Sequence, residues 1–175
     1  MPNSILTVEQ KLLLNQIREE IKIGLPGEDA QNKLAPISSN SRYRIAPDNH
    51  KKACVMSLIY PEGNELKMVF IERTFSHPED KHGGQISFPG GKLEEEDDTL
   101  LIGALREVEE EIGIPSDQIS ILGQLTDLYV FASNFMVYSF VGHMENAPKF
   151  IPQESEVASI VSFPINRLLT AEIVD

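Results

Sequence analysis

Three glutamates near the middle of the chain have the spacing expected of a metal site. Glu107, Glu110 and Glu111 lie at positions i, i+3 and i+4, which places their side chains on one side of a helix. Like charges at this spacing destabilise a helix by roughly 0.2–0.5 kcal/mol per pair. Carboxylate oxygens are hard ligands that suit Mg²⁺ or Mn²⁺ rather than zinc. The pattern therefore predicts a site for a divalent cation.

The residues around these glutamates favour a metal site over the alternative of a solvated acidic surface. Nine carboxylates and only two basic residues lie between Lys92 and Glu111. One of the basic residues, Arg106, can orient a carboxylate through two parallel hydrogen bonds. The Gly90-Gly91 pair lets the backbone approach a ligand closely. A mixed-sign surface helix would lack these features.

Other common site motifs are missing from the sequence. Gly91-Lys92 is not followed by Ser or Thr, as a phosphate-binding P-loop requires, and there is no G-x-G-x-x-G fingerprint. No paired Cys and His spacing suggests zinc. Cys54, the single cysteine, excludes an internal disulfide, and it is expected to be a buried side chain of a cytoplasmic protein.

The composition limits the classes of partner. The formal charge of −12 argues against general affinity for nucleic acid or for an anionic membrane. No apolar run reaches the roughly 18–20 residues that cross a bilayer, and the N-terminus lacks the pattern of a signal peptide. A small anionic substrate remains compatible with the charge, because bound cations invert the local field.

The elements that must position the acidic residues can be read from periodicity. Thr7 and Gln10 form a capping box at the start of a helix over 7–23, and residues 25–50 are predicted to be an extended arm. The acidic helix should begin near Thr99 and end at Gly113, with an apolar stripe opposite the acidic face. Strands are predicted at 53–60, 66–72, 85–88, 119–125, 135–141 and 157–163, and a helical turn at 165–169. The pattern is typical of an α/β or α+β layered domain.

The segment from Gly91 to Ile114 resembles the signature box of the Nudix hydrolases. A glycine is followed by an acid six residues later, and then by the run Arg106-Glu107-Val108-Glu109-Glu110-Glu111-Ile112-Gly113-Ile114. The resemblance implies an α/β/α sandwich with a mixed sheet and a central Nudix-box helix. It divides the chain into an N-terminal helix and arm (1–50) and a Nudix domain (51–175), in which the last strand and helix that similar proteins carry are expected to be missing.

The opening of the box and the segment before it resemble the coenzyme A pyrophosphatase branch of that family. The relevant runs are Gly90-Gly91-Lys92-Leu93-Glu94-Glu95-Glu96-Asp97 and His82-Gly83-Gly84-Gln85-Ile86-Ser87-Phe88-Pro89. The branch implies hydrolysis of coenzyme A or a derivative to 3′,5′-ADP and 4′-phosphopantetheine. The residues expected near that substrate are Arg73, His82, Gln85, Phe88, Ser133 and Asn134. Each also has an ordinary structural interpretation: Phe88 as a core residue, for example, and the Ser133-Asn134 pair as a turn.

The resemblance also assigns roles at the metal site. Glu107 and Glu111 are expected to be the principal ligands of Mg²⁺ or Mn²⁺, with Glu110 as a further ligand or the group that positions water. Arg106 should orient these glutamates, and Gly91 should offer a backbone ligand. Glu156, or Glu154 beside it, is the candidate for a downstream base or an additional ligand.

The sequence alone is compatible with two other functions. One is a pyrophosphatase for ADP-ribose, NADH or another nucleoside diphosphate derivative. The other is a non-catalytic Nudix-fold module that binds a nucleotide. The oligomeric state is also open, and a homodimer is one of the alternatives.

Overall fold

The computed structural model of the protein describes residues 5–34, 45–75 and 83–170. Within these residues the fold is built on one mixed sheet of eight strands. The strands are β1 (Lys51–Glu62), β2 (Glu65–Arg73), β3 (Ile86–Ser87), β4 (Gly90–Lys92), β5 (Ser120–Gln124), β6 (Leu128–Val130), β7 (Phe135–His143) and β8 (Val157–Pro164). The helices are α1 (Val8–Ile23), α2 (Glu28–Leu34), α3 (Leu100–Ile112) and α4 (Ile165–Thr170), with a 3₁₀ turn at Ser116–Gln118.

The sheet is organised around its central strand, β1. That strand pairs in parallel with β7 and antiparallel with β2, and β8 lies on the outer edge of β2. The segment 86–92 then runs from β2 across to β1, because β3 pairs with β2 and β4 pairs with β1. This crossing places Gly90 and Gly91 beside Val55 and Cys54 as part of the sheet.

Helices cover both faces of the sheet, so that the domain has three layers. Successive strand residues point to opposite faces. Accordingly, Leu58 belongs to the core cluster packed under α3, whereas its neighbour Ile59 belongs to the cluster packed under α1. This arrangement confirms the predicted mixed sheet with a central helix.

The acidic helix α3 has the predicted ends. The Thr99 hydroxyl accepts a hydrogen bond from the backbone N–H of Ile102 at 3.1 Å, which satisfies a free donor of the first turn. At the other end Gly113 adopts a left-handed conformation with φ 71°. Gly103 lies in the interior of the helix, where a larger residue would be crowded. A Cβ atom there would lie 3.0 Å from a carboxylate oxygen of Asp97.

The predicted N-terminal helix is confirmed with its capping box of Thr7 and Gln10. The expectation of an extended arm over 25–50 was wrong for Glu28–Leu34, which is the helix α2. The Gln31 side chain donates a hydrogen bond to the carbonyl of Thr126 at 3.1 Å and so holds α2 against the loop between β5 and β6. Residues 35–44 of the same arm lie outside the described residues.

None of the helices in the described ranges is both long enough and apolar enough to cross a membrane.

Candidate functional site

Glu111 lies within the buried stripe of α3 rather than on an acidic outer face. The residue follows Ala104 by seven positions, which is about two helical turns, so both point to the same side. The structure buries Glu111 among Ala104, Val108 and Ile112, with only 1% of its surface exposed. The predicted separation of α3 into an apolar face and an acidic face was therefore wrong at this residue.

The buried Glu111 carboxylate has few partners. The backbone N–H of Gly90 donates to Oε2 at 2.8 Å, and the Arg73 guanidinium lies 3.8 Å from Oε1. The pKa of Glu111 is raised to about 7, mainly by burial and also by the negative charges of Glu107 and Glu156, against the opposing effects of Gly90 and Arg73. The ionised carboxylate is thus destabilised, because within the described residues one hydrogen bond and one loose ion pair offset its desolvation.

Glu107 lies one turn before Glu111 and packs against the same strand, β4. A Cβ atom on Gly91 would lie 2.6 Å from the Glu107 carboxylate carbon, so only glycine leaves room for this side chain. Burial raises the pKa of Glu107, while its ion pair with Arg106 lowers it. The carboxylates of Glu111 and Glu107 therefore lie beside Gly90 and Gly91 of β4, and both lack full solvation.

Arg106 links the helix to the loop before it. Its Nε and Nη2 atoms donate to the two carboxylate oxygens of Asp97, both at 3.0 Å. Nη2 also lies 3.1 Å from Glu107 Oε1, and Nη1 donates to Glu110 Oε2 at 2.7 Å. The Asp97 side chain is only 3% exposed, and its pKa is lowered mainly by Arg106. This bidentate pair orients Arg106, which in turn contacts two of the three predicted metal ligands.

Glu110 faces outward in this arrangement. Its side chain is 58% exposed. Glu110 also lines an open groove of about 480 Å³ along the outer side of α3, together with Ile102, Leu105, Arg106, Glu109 and Ser116. Over the described ranges 5–34, 45–75 and 83–170, no group of three or more His, Cys, Asp or Glu side chains is arranged to hold a metal ion. The structure thus brings Glu107 and Glu111 to β4 but leaves Glu110 held outward by Arg106.

The donor set at β4 still fits a hard divalent cation. Glu107 and Glu111 are carboxylates with raised pKa values. Repulsion by Glu107 and Glu156 contributes to the raised pKa of Glu111, and a cation would relieve it. Carboxylate and backbone carbonyl oxygens are the ligand types that Mg²⁺ and Mn²⁺ prefer.

Glu156 reaches the same region from the turn before β8. Its charge raises the pKa of both Glu107 and Glu111, so its carboxylate lies within electrostatic range of the pair. The backbone of the turn is fixed to α3 through the N–H of Gln153, which donates to the carbonyl of Glu111 at 2.9 Å. Of the two downstream candidates, Glu154 and Glu156, only Glu156 contributes to the shifted pKa values of these two glutamates.

Three of the predicted substrate residues lie at the end of β2 or in the segment that leads to β4. Arg73 ends β2 and contacts Glu111. Gln85 stands just before β3, and its carbonyl accepts a hydrogen bond from the N–H of Arg73 at 3.0 Å. Phe88 stacks on Phe70 with ring centroids 4.8 Å apart, on the sheet face opposite the one that packs under α3.

The hydrogen bonds of the other two described substrate candidates are made away from the acidic cluster. Ser133 and Asn134 belong to the turn between β6 and β7, where Asn134 adopts a φ of 56° and its side chain accepts from the Tyr129 hydroxyl at 2.9 Å. These contacts agree with the turn interpretation of the pair. His82 lies outside the described residues.

Sequence reasoning did not assign a role to Asp97 or to Thr74. Asp97 occupies the box position where an acid is expected, which was the available signal for its pairing with Arg106. The backbone N–H of Thr74 donates to the carbonyl of Glu156 at 2.8 Å, and its hydroxyl donates to the carbonyl of Glu154 at 3.2 Å. No local pattern predicts this contact, since the two segments are 80 residues apart.

The sequence is similar to those of a known protein family. The Nudix domain family profile matches residues 50–174. A protein of Yersinia enterocolitica described as an uncharacterized Nudix hydrolase, NudL, is 42% identical over 51% of this chain and 45% of its own length. The NudL protein of Yersinia pestis strain Pestoides F is 38% identical over 77% of this chain and 64% of its own length. The chain therefore spans about half to just under two thirds of these curated relatives.

Solved structures show the same fold at low sequence identity. RenU, a Nudix hydrolase from M. smegmatis, has a TM-score of 0.55 and 16% identity, with 69% of this chain and 74% of that chain covered. The Nudix domain of Shewanella oneidensis NrtR, solved in complex with ADP-ribose, has a TM-score of 0.54 and 16% identity, with 83% of this chain and 89% of that chain covered. These likenesses confirm the fold class of the domain.

Proposed function

Because the chain belongs to the Nudix family, we propose that it is a divalent-metal-dependent pyrophosphohydrolase of nucleoside-diphosphate-linked compounds. The observation that carries the proposal is a pair of carboxylates, the buried Glu111 and the partly buried Glu107, that lie against Gly90 and Gly91 of β4. Two ionisable groups placed in a desolvated position with few partners are costly to fold. Such a cost is expected where charge is needed for function.

Each residue of the cluster has a proposed role. Glu107 and Glu111 hold Mg²⁺ or Mn²⁺ together with a backbone oxygen of Gly91, and Glu110 serves as a further ligand or positions water. When bound, the ion neutralises charge on phosphate oxygens and lowers the pKa of a water molecule. Arg106 orients the glutamates. Glu156 acts as base or as an additional ligand.

Arg73 is the described cation best placed for the anionic substrate. Its guanidinium lies 3.8 Å from Glu111 and is 39% exposed, so it is loosely held and accessible from solvent. A guanidinium matches the geometry of phosphate oxygens, to which it can donate two parallel hydrogen bonds. We place the diphosphate of the substrate between Arg73 and the glutamates.

Coenzyme A or a derivative is the proposed substrate, with 3′,5′-ADP and 4′-phosphopantetheine as products. The support is the resemblance of the runs 82–91 and 90–97 to the coenzyme A pyrophosphatase branch. Gln85 and Phe88 belong to those runs, and Gln85 directly precedes the strand that leads to Gly90. His82 and the pair Ser133 and Asn134 stay proposals on the resemblance alone.

A panel of coenzyme A, ADP-ribose, NADH and nucleoside triphosphates tests the substrate, with products separated by chromatography in Mg²⁺ and in Mn²⁺. ADP-ribose belongs in the panel because the Nudix domain of Shewanella oneidensis NrtR was solved with it. Release of 3′,5′-ADP from coenzyme A at the highest kcat/KM is the expected result. A preference for ADP-ribose or a triphosphate would contradict the coenzyme A assignment and leave the hydrolase proposal standing.

A matched pair of variants separates catalysis from binding. Glu110→Gln should abolish turnover, whereas Glu109→Gln, the same change at the adjacent exposed position, should leave it unchanged. Tight nucleotide binding without turnover in the wild-type protein would instead favour a non-catalytic Nudix module. The outward orientation of Glu110 is the observation that favours testing this second function.

A further inference from the structure

The turn that carries Glu156 is held to the rest of the site at two ends. On one side the N–H of Gln153 donates to the carbonyl of Glu111 at 2.9 Å, and that of Ile151 donates to the carbonyl of Ile112 at 2.9 Å. These bonds use carbonyls at the C-terminal end of α3 that have no partner within the helix. The position of the turn relative to α3 is therefore fixed at its start.

The other end of the turn is fixed by Thr74. Its backbone N–H donates to the carbonyl of Glu156 at 2.8 Å, and its hydroxyl donates to the carbonyl of Glu154 at 3.2 Å. The preceding residue, Arg73, contacts the Glu111 carboxylate. The end of β2 thus touches a predicted metal ligand with one residue and the turn bearing Glu156 with the next.

We propose that Thr74 is a positioning residue, whose hydroxyl orients the turn 153–156 so that the Glu156 carboxylate faces Glu107 and Glu111. The inference rests on the proposed function, because it concerns how the same acidic cluster is assembled. Glu156 is exposed and lies in a turn, so little in its own packing fixes the direction of its side chain. A short exposed turn is also the kind of segment that opens most easily unless side-chain hydrogen bonds hold it.

The alternative is that the Thr74 hydroxyl only adds stability to the edge of the sheet. Backbone pairing between β2 and β8 continues through Arg73 and Val157 and does not involve the hydroxyl. A stabilising role would therefore lower the free energy of unfolding without a selective effect on metal binding. A positioning role would affect metal binding and turnover more than stability.

Thr74→Val and Thr74→Ser separate these roles. Valine has the same shape without the hydroxyl, and serine restores the hydroxyl. The first measurement is Mn²⁺ binding by isothermal titration calorimetry and by electron paramagnetic resonance of free Mn²⁺, without substrate. Thr74→Val should bind Mn²⁺ about fivefold more weakly, in the range expected for one net hydrogen bond, and Thr74→Ser should bind as the wild type does. Turnover should follow the same order, with the loss in kcat rather than in KM.

Thr7→Val is the matched control. The Thr7 hydroxyl accepts a hydrogen bond from the N–H of Gln10 and donates one to Glu9 at the start of α1, which packs on the sheet face opposite α3. This variant should lose thermal stability while keeping the wild-type affinity for Mn²⁺. Equal loss of Mn²⁺ affinity in Thr7→Val and Thr74→Val would mean that general destabilisation explains the effect, and would overturn the proposal.

A double-mutant cycle tests whether Thr74 acts through Glu156. In the Glu156→Gln background, Thr74→Val should cause no further loss of Mn²⁺ affinity, whereas in the Glu154→Gln background the fivefold loss should persist. Wild-type Mn²⁺ affinity in Thr74→Val, failure of Thr74→Ser to restore binding, or additivity with Glu156→Gln would each refute the proposal. The binding measurements do not depend on turnover, so a wild-type protein inactive on the whole substrate panel would defeat the hydrolase proposal alone.

Discussion

Replacing Glu111 with glutamine should stabilise the metal-free protein while removing a proposed metal ligand. Glu111 is 1% exposed, and among the described residues its side chain accepts a hydrogen bond from the N–H of Gly90. Glutamine has nearly the same shape and keeps an oxygen that can accept this hydrogen bond. It removes the buried negative charge, which faces the further charges of Glu107 and Glu156.

The pKa of Glu111 gives the size and the pH dependence of the effect. Its pKa is about 7 in the folded protein against an ordinary value of 4.5. A raised carboxyl pKa means that the folded state binds the proton more tightly, so stability is full below pH 4.5 and is lost as the pH rises through 7. At about 1.4 kcal/mol for each pH unit between the two values, ionised Glu111 destabilises the fold by about 3 kcal/mol at pH 8.

Urea unfolding in EDTA, measured at several pH values from 4.5 to 8, provides the test. The free energy of unfolding of Glu111→Gln should match the wild type at the lowest pH and exceed it by about 3 kcal/mol at pH 8. Glu109→Gln, the same change at an exposed position of α3, should track the wild type throughout. In a second series without EDTA, Mn²⁺ at 100 times its Kd for the wild type should raise the free energy of unfolding of the wild type by about 2.7 kcal/mol. The same concentration should leave the free energy of unfolding of Glu111→Gln unchanged.

A Glu111→Gln variant that is less stable than the wild type at pH 8 in EDTA would contradict this prediction. A difference between the two proteins that does not change with pH would also contradict it, because the effect of a desolvated charge must follow its ionisation. Either result would mean that the Glu111 carboxylate has stronger partners in solution than Gly90 and Arg73.

Three further substitutions follow from contacts around α3. Arg106→Lys keeps the charge but loses the bidentate bond to the 3% exposed Asp97, so the free energy of unfolding in urea should fall by about 2 kcal/mol; wild-type stability would contradict it. Gly91→Ala places a methyl group against the Glu107 carboxylate and should lower Mn²⁺ affinity at least tenfold by calorimetry, with unchanged affinity as the contrary result. Gly103→Ala should give no net stabilisation, because the gain in helix propensity of about 1 kcal/mol is offset by the contact at 3.0 Å with Asp97; a gain near 1 kcal/mol in urea would show that Asp97 has room to move.

Local features of the sequence were sufficient to place α3 and its two ends. The Thr99 cap and the left-handed Gly113 act within a few residues of each helix end, and the i, i+3, i+4 spacing of the glutamates is a property of any helix. Helix ends of this kind can therefore be predicted without knowledge of the fold.

Short elements were missed because distant contacts stabilise them. The helix α2 has seven residues, too few to be stable alone, and Gln31 holds it to Thr126. The strand β6 has three residues and exists through its pairing with β7. The Gly90-Gly91 segment, which was not among the predicted strands, is strand β4 because it pairs with β1.

The sequence by itself determined that a helix with three glutamates on one side follows a Gly-Gly pair, since helix geometry and capping are local. Only the tertiary structure decided which of those glutamates is buried, because burial depends on the sheet that packs against α3. The same packing brought Asp97 to Arg106 and Thr74 to the turn at Glu156. Contacts between residues far apart in the chain have no local signal, and at this site they decide which carboxylates face one another.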